Sequence, residues 1–203
     1  MVSMTKKDVE TGCRWLIETE PRFQQVHDRL GFAVTRQKPA GFEGLFQSIV
    51  SQQLSTQAAK SIWSRLVDAE LITPTALEHA EDETLRQLGL SHQKIRYGRA
   101  LASAGVDWNG LQTMSTDEVI DALVPIVGIG EWTAQMYAMF SLGHRDVFAA
   151  NDLGLQEGIR HLFALSERPA PKKAKELAQA WSPWRSVASL WLWSWYDHCR
   201  AQT

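Results

Sequence analysis

Cysteine is nearly absent from this 203-residue chain, occurring only as Cys13 and Cys199. Two thiols cannot build a disulfide framework, a four-thiolate zinc site or an iron–sulfur cluster. Charge of one sign is missing too: 21 Lys and Arg against 23 Asp and Glu leave a net charge of −2. That balance argues against bulk attraction to nucleic acid but leaves a local basic face open. No apolar run approaches the ~20 residues that a membrane-spanning helix needs. The N-terminal octet Met1-Val-Ser-Met-Thr-Lys-Lys-Asp8 does not lead into a signal-peptide core. The expectation is a soluble, cytoplasmic protein with no membrane partner, nucleoid-associated if bacterial. None of the six histidines has the spacing of an H-E-x-x-H metal pair, and no Walker or Rossmann glycine pattern occurs. What the chain does have is nine tryptophans, more than packing alone usually demands. With 44% hydrophobic and 22% charged residues it sits near globular averages, which excludes disordered and fibrous classes.

Helical spacing dominates, and convincing period-2 strands are few. Lys6 to Glu20 is a first amphipathic stretch; Pro21 can start a second, ending near Gly31. Thr35 to Gly41 is the first linker. Phe42 to Val67 carries a long apolar pattern, interrupted by the polar insert Ser51-Gln-Gln-Leu-Ser-Thr56. Pro74 and Asp82 can open two short helices, the second stopping at Gly89, and Lys94 to Ala104 continues as a basic helix. Ser115-Thr-Asp-Glu118 is a capping-box pattern ahead of an apolar run from Val119 to Ile126. Val127-Gly-Ile-Gly-Glu-Trp-Thr133 then forms a tight glycine hairpin, opening a helix that ends at Gly143. Arg145 to Asp152 is a loop into a helix from Leu153 to about Leu165, and the last helices run to about Cys199. There is no internal repeat. The expected fold class is all-α with roughly ten helices.

Glycines at 128 and 130 permit positive φ and close backbone approach, and the helix that follows presents N-terminal amides suited to phosphate. A lone Gly-x-Gly between helices is more often an ordinary turn. The longer string Leu123-Val-Pro-Ile-Val-Gly-Ile-Gly-Glu-Trp-Thr-Ala134 is far more specific. With Ser51-Gln-Gln-Leu-Ser55, Gly89-Leu-Ser-His-Gln-Lys-Ile95, Asp146-Val-Phe-Ala-Ala-Asn-Asp-Leu-Gly154 and Trp181-Ser-Pro-Trp-Arg-Ser186, it resembles the helix-hairpin-helix (HhH-GPD) DNA glycosylase superfamily, on its 3-methyladenine DNA glycosylase II branch. The resemblance implies two helical lobes, approximately 1–35 plus 144–203 and 36–143, with the active site in the cleft between them.

By resemblance Asp152 is catalytic; as a residue before a predicted helix it also suits an N-cap, and the two roles are compatible. A fixed carboxylate can stabilise the positive charge that develops on the deoxyribose and can orient or deprotonate water. Lyase relatives carry a Schiff-base lysine two residues after the second hairpin glycine. Here that residue is Trp132, which predicts a monofunctional hydrolase that leaves an intact abasic site.

Trp132 and Trp193 align with aromatics of the family's base pocket, with Met136 and Tyr137 one turn beyond Trp132. A base methylated at N3 or N7 carries positive charge, which a ring face attracts. Trp184, Trp191 and Trp195 fall on a helix that is apolar on most sides and are expected to be buried. Aligned on Gln-x-x-Ser, Gln53 takes the position of the wedge that fills the gap left by a flipped base, with Leu54 beside it; a polar interhelical loop with a buried glutamine is an equal alternative. Lys60, Lys94, Arg96 and Arg99 form the nearest thing to a basic patch, or else a solvated helix face. Gly128, Gly130 and Thr133 would offer amides to phosphate. In several relatives hairpin carbonyls hold a monovalent cation; the matching positions are Val124, Ile126 and Ile129, so a structural Na+ or K+ is a candidate and no other cofactor is required.

The leading expectation is thus a monomeric, monofunctional glycosylase that excises alkylated bases from double-stranded DNA. The alternatives are a glycosylase of the same fold for uracil, hypoxanthine or an oxidised purine, and a noncatalytic helix-hairpin-helix DNA-binding protein.

Overall fold

The structure, a computed structural model, describes residues 4–202, so Met1 to Ser3 of the N-terminal octet lie outside the described residues. Among the described residues the regular structure is helical throughout. The chain begins with α1 (Lys6–Thr19), α2 (Phe23–Leu30), α3 (Phe42–Ser51) and α4 (Thr56–Asp68). There follow α5 (Pro74–His79), α6 (Asp82–Gln87), α7 (His92–Ala102), α8 (Trp108–Leu111) and α9 (Thr116–Leu123). The chain closes with α10 (Glu131–Phe140), α11 (Leu153–Leu162), α12 (Pro171–Ala178) and α13 (Arg185–Arg200). The described helices outnumber the ten expected; the four-residue α8 is too short to leave a periodic trace in the sequence. Two compact units result: Met1–Gln37 with Ala138–Thr203, and Lys38–Tyr137.

In the first unit, Thr5 and Asp8 open α1 with reciprocal bonds. The Thr5 hydroxyl accepts the Asp8 N–H at 3.1 Å, and the Asp8 carboxylate accepts the Thr5 N–H at 2.9 Å. Val9, Gly12, Cys13 and Leu16 then recur at helical spacing and are all buried. Burial pushes the Cys13 thiol up to about 12, and neither cysteine is in a disulfide. The core is aromatic. Phe23 stacks on Trp191 at 5.5 Å and meets Trp181 edge-on at 5.4 Å, all three fully buried. Trp191 satisfies its indole N–H on the Gly31 carbonyl at 3.0 Å. Trp195 is buried as expected, whereas Trp184 is half-buried and precedes α13. α11 lies close along α13: a Cβ on Gly158 would come within 2.5 Å of the Leu192 carbonyl oxygen, so only glycine fits there.

The loop from His144 to Asp152 is pinned to the start of α13. Arg185 grips Asp146 bidentately, Nε to Oδ1 at 2.6 Å and the terminal nitrogen to Oδ2 at 2.9 Å. The Ser182 hydroxyl donates to Oδ2 at 2.8 Å. Ser186 donates its hydroxyl to the His144 carbonyl at 2.7 Å and accepts the Val147 N–H at 3.0 Å. Arg145 pairs with Asp8 of α1 at 3.0 Å, and Gln156 closes the far end by donating to the Ala150 carbonyl at 2.8 Å.

In the second unit, α3 packs on α4 and α7 and buries Leu45, Phe46 and Ile49, and Leu66, Leu77, Leu85 and Leu101 are buried in the same unit. Ser55, Thr73, Ser91 and Ser115 each cap the helix that follows by accepting an N–H two or three residues into it.

Burial raises the Asp146 carboxyl, but the Arg185 and Ser182 hydrogen bonds outweigh it and hold the group below its ordinary value. Its stabilising contribution is therefore complete above the unfolded value near ~4 and is lost as pH falls through the lowered one. Asp146→Ala should cost about 1.5–3 kcal/mol at neutral pH, the scale of hydrogen bonds to charged groups. The difference between wild type and variant, followed by urea unfolding, should close below about pH 4. A difference that stays constant through the acid range would show that the ion pair contributes nothing that depends on charge.

Candidate active site

Asp152 ends the pinned loop and is the N-cap of α11, with φ −73° and ψ 121°. Its Oδ1 accepts the Leu155 N–H at 2.8 Å and the Trp193 indole N–H at 2.9 Å. A carboxylate at a helix start also lies where the helix dipole favours negative charge. Trp193 comes from α13, and Phe140, at the end of α10, stacks against it with ring centroids 6.0 Å apart and planes 26° apart. A recess of about 480 Å³ opens beside Trp193, lined by Phe140, Leu190, Ser194, Tyr196 and Val34 among others. That volume is ample for a purine base. Sequence analysis named Trp193 only as an aromatic wall and missed its bond to Asp152. It also missed Phe140, whose place in α10 was legible but whose partner, 53 positions away on α13 by their numbers, was not.

The second unit carries the hairpin. Its turn is closed by the Ile129 N–H on the Ile126 carbonyl at 3.0 Å, with both isoleucines buried. The two glycines are not equivalent. Gly128 has φ +96°, and the Tyr97 ring occupies the place a Cβ would take, so glycine is required twice over. Gly130 is outside the left-handed region, and nothing lies within 4 Å of its missing Cβ. α10 opens with the Ala134 N–H on the Gly130 carbonyl at 3.0 Å, so the amides before it form the helix N-terminus. Thr133 is buried and Trp132 is 48% exposed. Met136 and Tyr137, expected in the base pocket, are buried, and the Tyr137 hydroxyl accepts the Gly41 N–H at 2.8 Å. Burial pushes that phenol above its ordinary pKa, against the Gly41 bond.

The Ser51–Ser55 insert is a tight turn between α3 and α4. Gln52, not Gln53, is its anchor: the Gln52 amide donates to the Gly128 carbonyl at 3.0 Å and so ties the turn to the hairpin. Gln53 is exposed with φ +57°, and Leu54 beside it is 39% exposed. An exposed Gln53 departs from the buried interhelical glutamine. The basic patch divides. Lys94 donates its ammonium to the Val50 carbonyl at 2.5 Å, at the C-terminal end of α3, and desolvation lowers its pKa. Arg99 binds the Ala80 carbonyl and Asp82, each at 2.7 Å. These two make bonds within the fold and so differ from the alternative of a simply solvated helix face. Lys60 and Arg96 are exposed, Arg96 lying 5.4 Å over the Tyr97 ring. Among the described residues no cluster of three or more His, Cys, Asp or Glu could hold a metal ion.

The chain matches the family model for HhH-GPD superfamily base excision DNA repair proteins over residues 46–183, and it belongs to that family. Among curated proteins it is 30% identical over 164 residues to the alkylbase DNA glycosidase-like protein mag2 of Schizosaccharomyces pombe, covering 76% of this chain and 77% of that one. It is 31% identical over 168 residues to DNA-3-methyladenine glycosylase 1 of the same yeast, covering 77% and 73%. Among solved structures, a DNA-3-methyladenine glycosidase from Bacillus halodurans superposes with a TM-score of 0.82 at 36% identity, over 99% of this chain and 94% of that one. The S. pombe 3-methyladenine DNA glycosylase Mag1 in complex with abasic DNA gives a TM-score of 0.79 at 27% identity, over 90% and 95%.

The open space at Gly130 makes a clean test of the hairpin. Gly130→Asp should keep the wild-type melting temperature, because its side chain meets nothing. It should weaken binding to damaged and undamaged duplex alike by about tenfold, ~1.4 kcal/mol, because a contact to phosphate carries no base information. Weakening confined to lesion DNA would place residue 130 at the base instead.

Proposed function

We propose that the chain is a monofunctional DNA glycosylase that hydrolyses the N-glycosidic bond of alkylated bases, of the 3-methyladenine and 7-methylguanine type, in base excision repair. The observation that carries this reading is the Asp152 carboxylate, held on one oxygen by donors from α11 and α13, the second of them from Trp193, which lines a recess of base size. The names of its relatives as 3-methyladenine glycosylases support the substrate class.

The chemistry follows from the leaving group. A purine methylated at N3 or N7 is cationic and departs as a neutral base, taking the electron pair of the bond to C1′, so a strong general acid is not needed. Positive charge develops on the sugar, where an oriented carboxylate stabilises it. Water adds to C1′, and its proton passes to Asp152 or to solvent. Trp132 stands where lyase relatives carry lysine, so the abasic strand stays intact. In this reading Gln53 and Leu54 fill the gap in the duplex, as the exposed tip of the turn, while the hairpin amides at Gly128, Gly130 and Thr133 face phosphate, with Lys60 adding charge. A Na+ or K+ would be held by the main-chain carbonyls of Val124, Ile126 and Ile129. They lie in one short turn, and Ile126 accepts one N–H there and keeps a second lone pair. The partner is double-stranded DNA, bound by a monomer. No described helix is long and apolar enough to cross a membrane.

Base release from methylated duplex, resolved by chromatography, tests the function. Wild type should release 3-methyladenine or 7-methylguanine, and Asp152→Asn should lose most of the single-turnover rate while retaining abasic-DNA binding. A near-wild-type rate in Asp152→Asn would remove the catalytic assignment. Borohydride should trap no enzyme–DNA adduct; a covalent band would mean that an amine acts as nucleophile.

A further inference from the structure

We infer that Trp193 and Gly154 are positioning residues for Asp152: the indole N–H, admitted by the missing side chain at 154, aims the carboxylate. The inference rests on the catalytic reading of Asp152.

Three observations converge on it. A helix N-cap is satisfied by one backbone donor, and Leu155 supplies it at 2.8 Å. The Trp193 N–H at 2.9 Å is a second donor to the same oxygen from a different helix. Two donors from separate elements on one oxygen restrain the carboxylate's broad terminal torsion more tightly than the cap alone.

Gly154 has no backbone reason to be glycine. It lies in the first turn of α11, where its φ is not left-handed and where glycine destabilises a helix relative to alanine. Its reason is clearance. A Cβ there would come 2.9 Å from Trp193 Cδ1, 3.2 Å from Trp193 Nε1 and 3.1 Å from Asp152 Oδ1. Any side chain at 154 therefore wedges apart the two groups that must meet. The indole cannot yield easily, since Phe140 stacks on it.

The base-stacking role expected of Trp193 and the positioning role rest on different parts of the side chain. Stacking needs the ring; positioning needs the N–H. Replacing Trp193 with β-(3-benzothienyl)alanine, which has sulfur where the indole has N–H, keeps the ring and its stacking but deletes the donor. Single-turnover release of 7-methylguanine at saturating enzyme should then slow by about ten- to a hundredfold, the loss of a hydrogen bond to a charged group. Affinity for abasic DNA should be unchanged, which also shows that the protein is folded. Trp193→Phe should slow by a similar factor despite its aromatic ring, and Gly154→Ala should slow with Trp193 intact. A wild-type rate in the benzothienyl protein overturns the inference, as does a loss of abasic-DNA affinity equal to the loss of rate. Asp152→Asn, run alongside, separates the two readings. If it turns over at the wild-type rate, the catalytic assignment fails; if it is slow while the benzothienyl protein is fast, only the positioning role fails.

Discussion

In the proposed function a carboxylate has to be kept pointing in one direction without being buried beyond the reach of its substrate, and much of the first unit serves that constraint. Asp152 stands at the end of a loop with no regular hydrogen-bond ladder of its own. The loop's direction comes from side chains instead: Arg185 and Ser182 on Asp146, Ser186 on both sides of the loop, and Gln156 on Ala150. Behind these contacts, Gly158 lets α11 approach the α13 backbone, and Phe23, Trp181 and Trp191 fill the core beneath. Three of the nine tryptophans, Trp181, Trp191 and Trp195, are thus buried in this unit. Large flat side chains bury much apolar area with few rotatable bonds, which suits a unit that must not let one loop drift.

In the proposed function the second unit meets a different demand, holding DNA with a chain whose net charge is −2. Two of the four cations in its basic patch are committed internally, Lys94 to the end of α3 and Arg99 to Ala80 and Asp82. Lys60 and Arg96 stay exposed, and the hairpin offers backbone amides as well. Helix N-terminal amides bind phosphate without carrying a formal charge, and this is compatible with an acidic surface elsewhere. Gln52 links the turn before α4 to the hairpin through the Gly128 carbonyl, and Lys94 holds the residue just before that turn. The exposed tip at Gln53 and Leu54 is thereby carried by the same framework as the hairpin; in the function proposed above, holding the backbone and entering the stack become one mechanical event.

Local signals in the sequence were reliable wherever the interaction is local. The Ser115 capping box, the Pro74 and Asp82 starts, the Gly31 and Gly89 stops and the break at residues 51–55 all appear where spacing put them. Boundaries moved by a few residues where fraying or a preceding cap decides: α7 begins at His92 because Ser91 caps it, and α11 stops at Leu162 rather than near 165. The resemblance named candidate residues for the site, but the sequence did not show their contacts. Nothing local to Lys94 announces a carbonyl at Val50, and nothing local to Trp193 announces a carboxylate at Asp152. Gly154 is the instructive case. In the sequence it is one more motif glycine, and only the indole lying over it gives it a reason.

If the indole N–H of Trp193 serves Asp152, selectivity for alkylated bases does not need a cation–π contact at that ring, and the physics of departure can supply much of it. A base that leaves as a neutral molecule from a cationic state lowers the barrier for its own excision, whereas an unmodified purine must leave as an anion or be protonated first. The enzyme then gains most by stabilising what both reactions share, the charge on the sugar, with a carboxylate fixed in advance. Preorganisation of that kind is paid for during folding rather than at each turnover, which is why the contacts around Asp152 come from side chains and glycines spread over residues 140 to 193 instead of from a single catalytic loop.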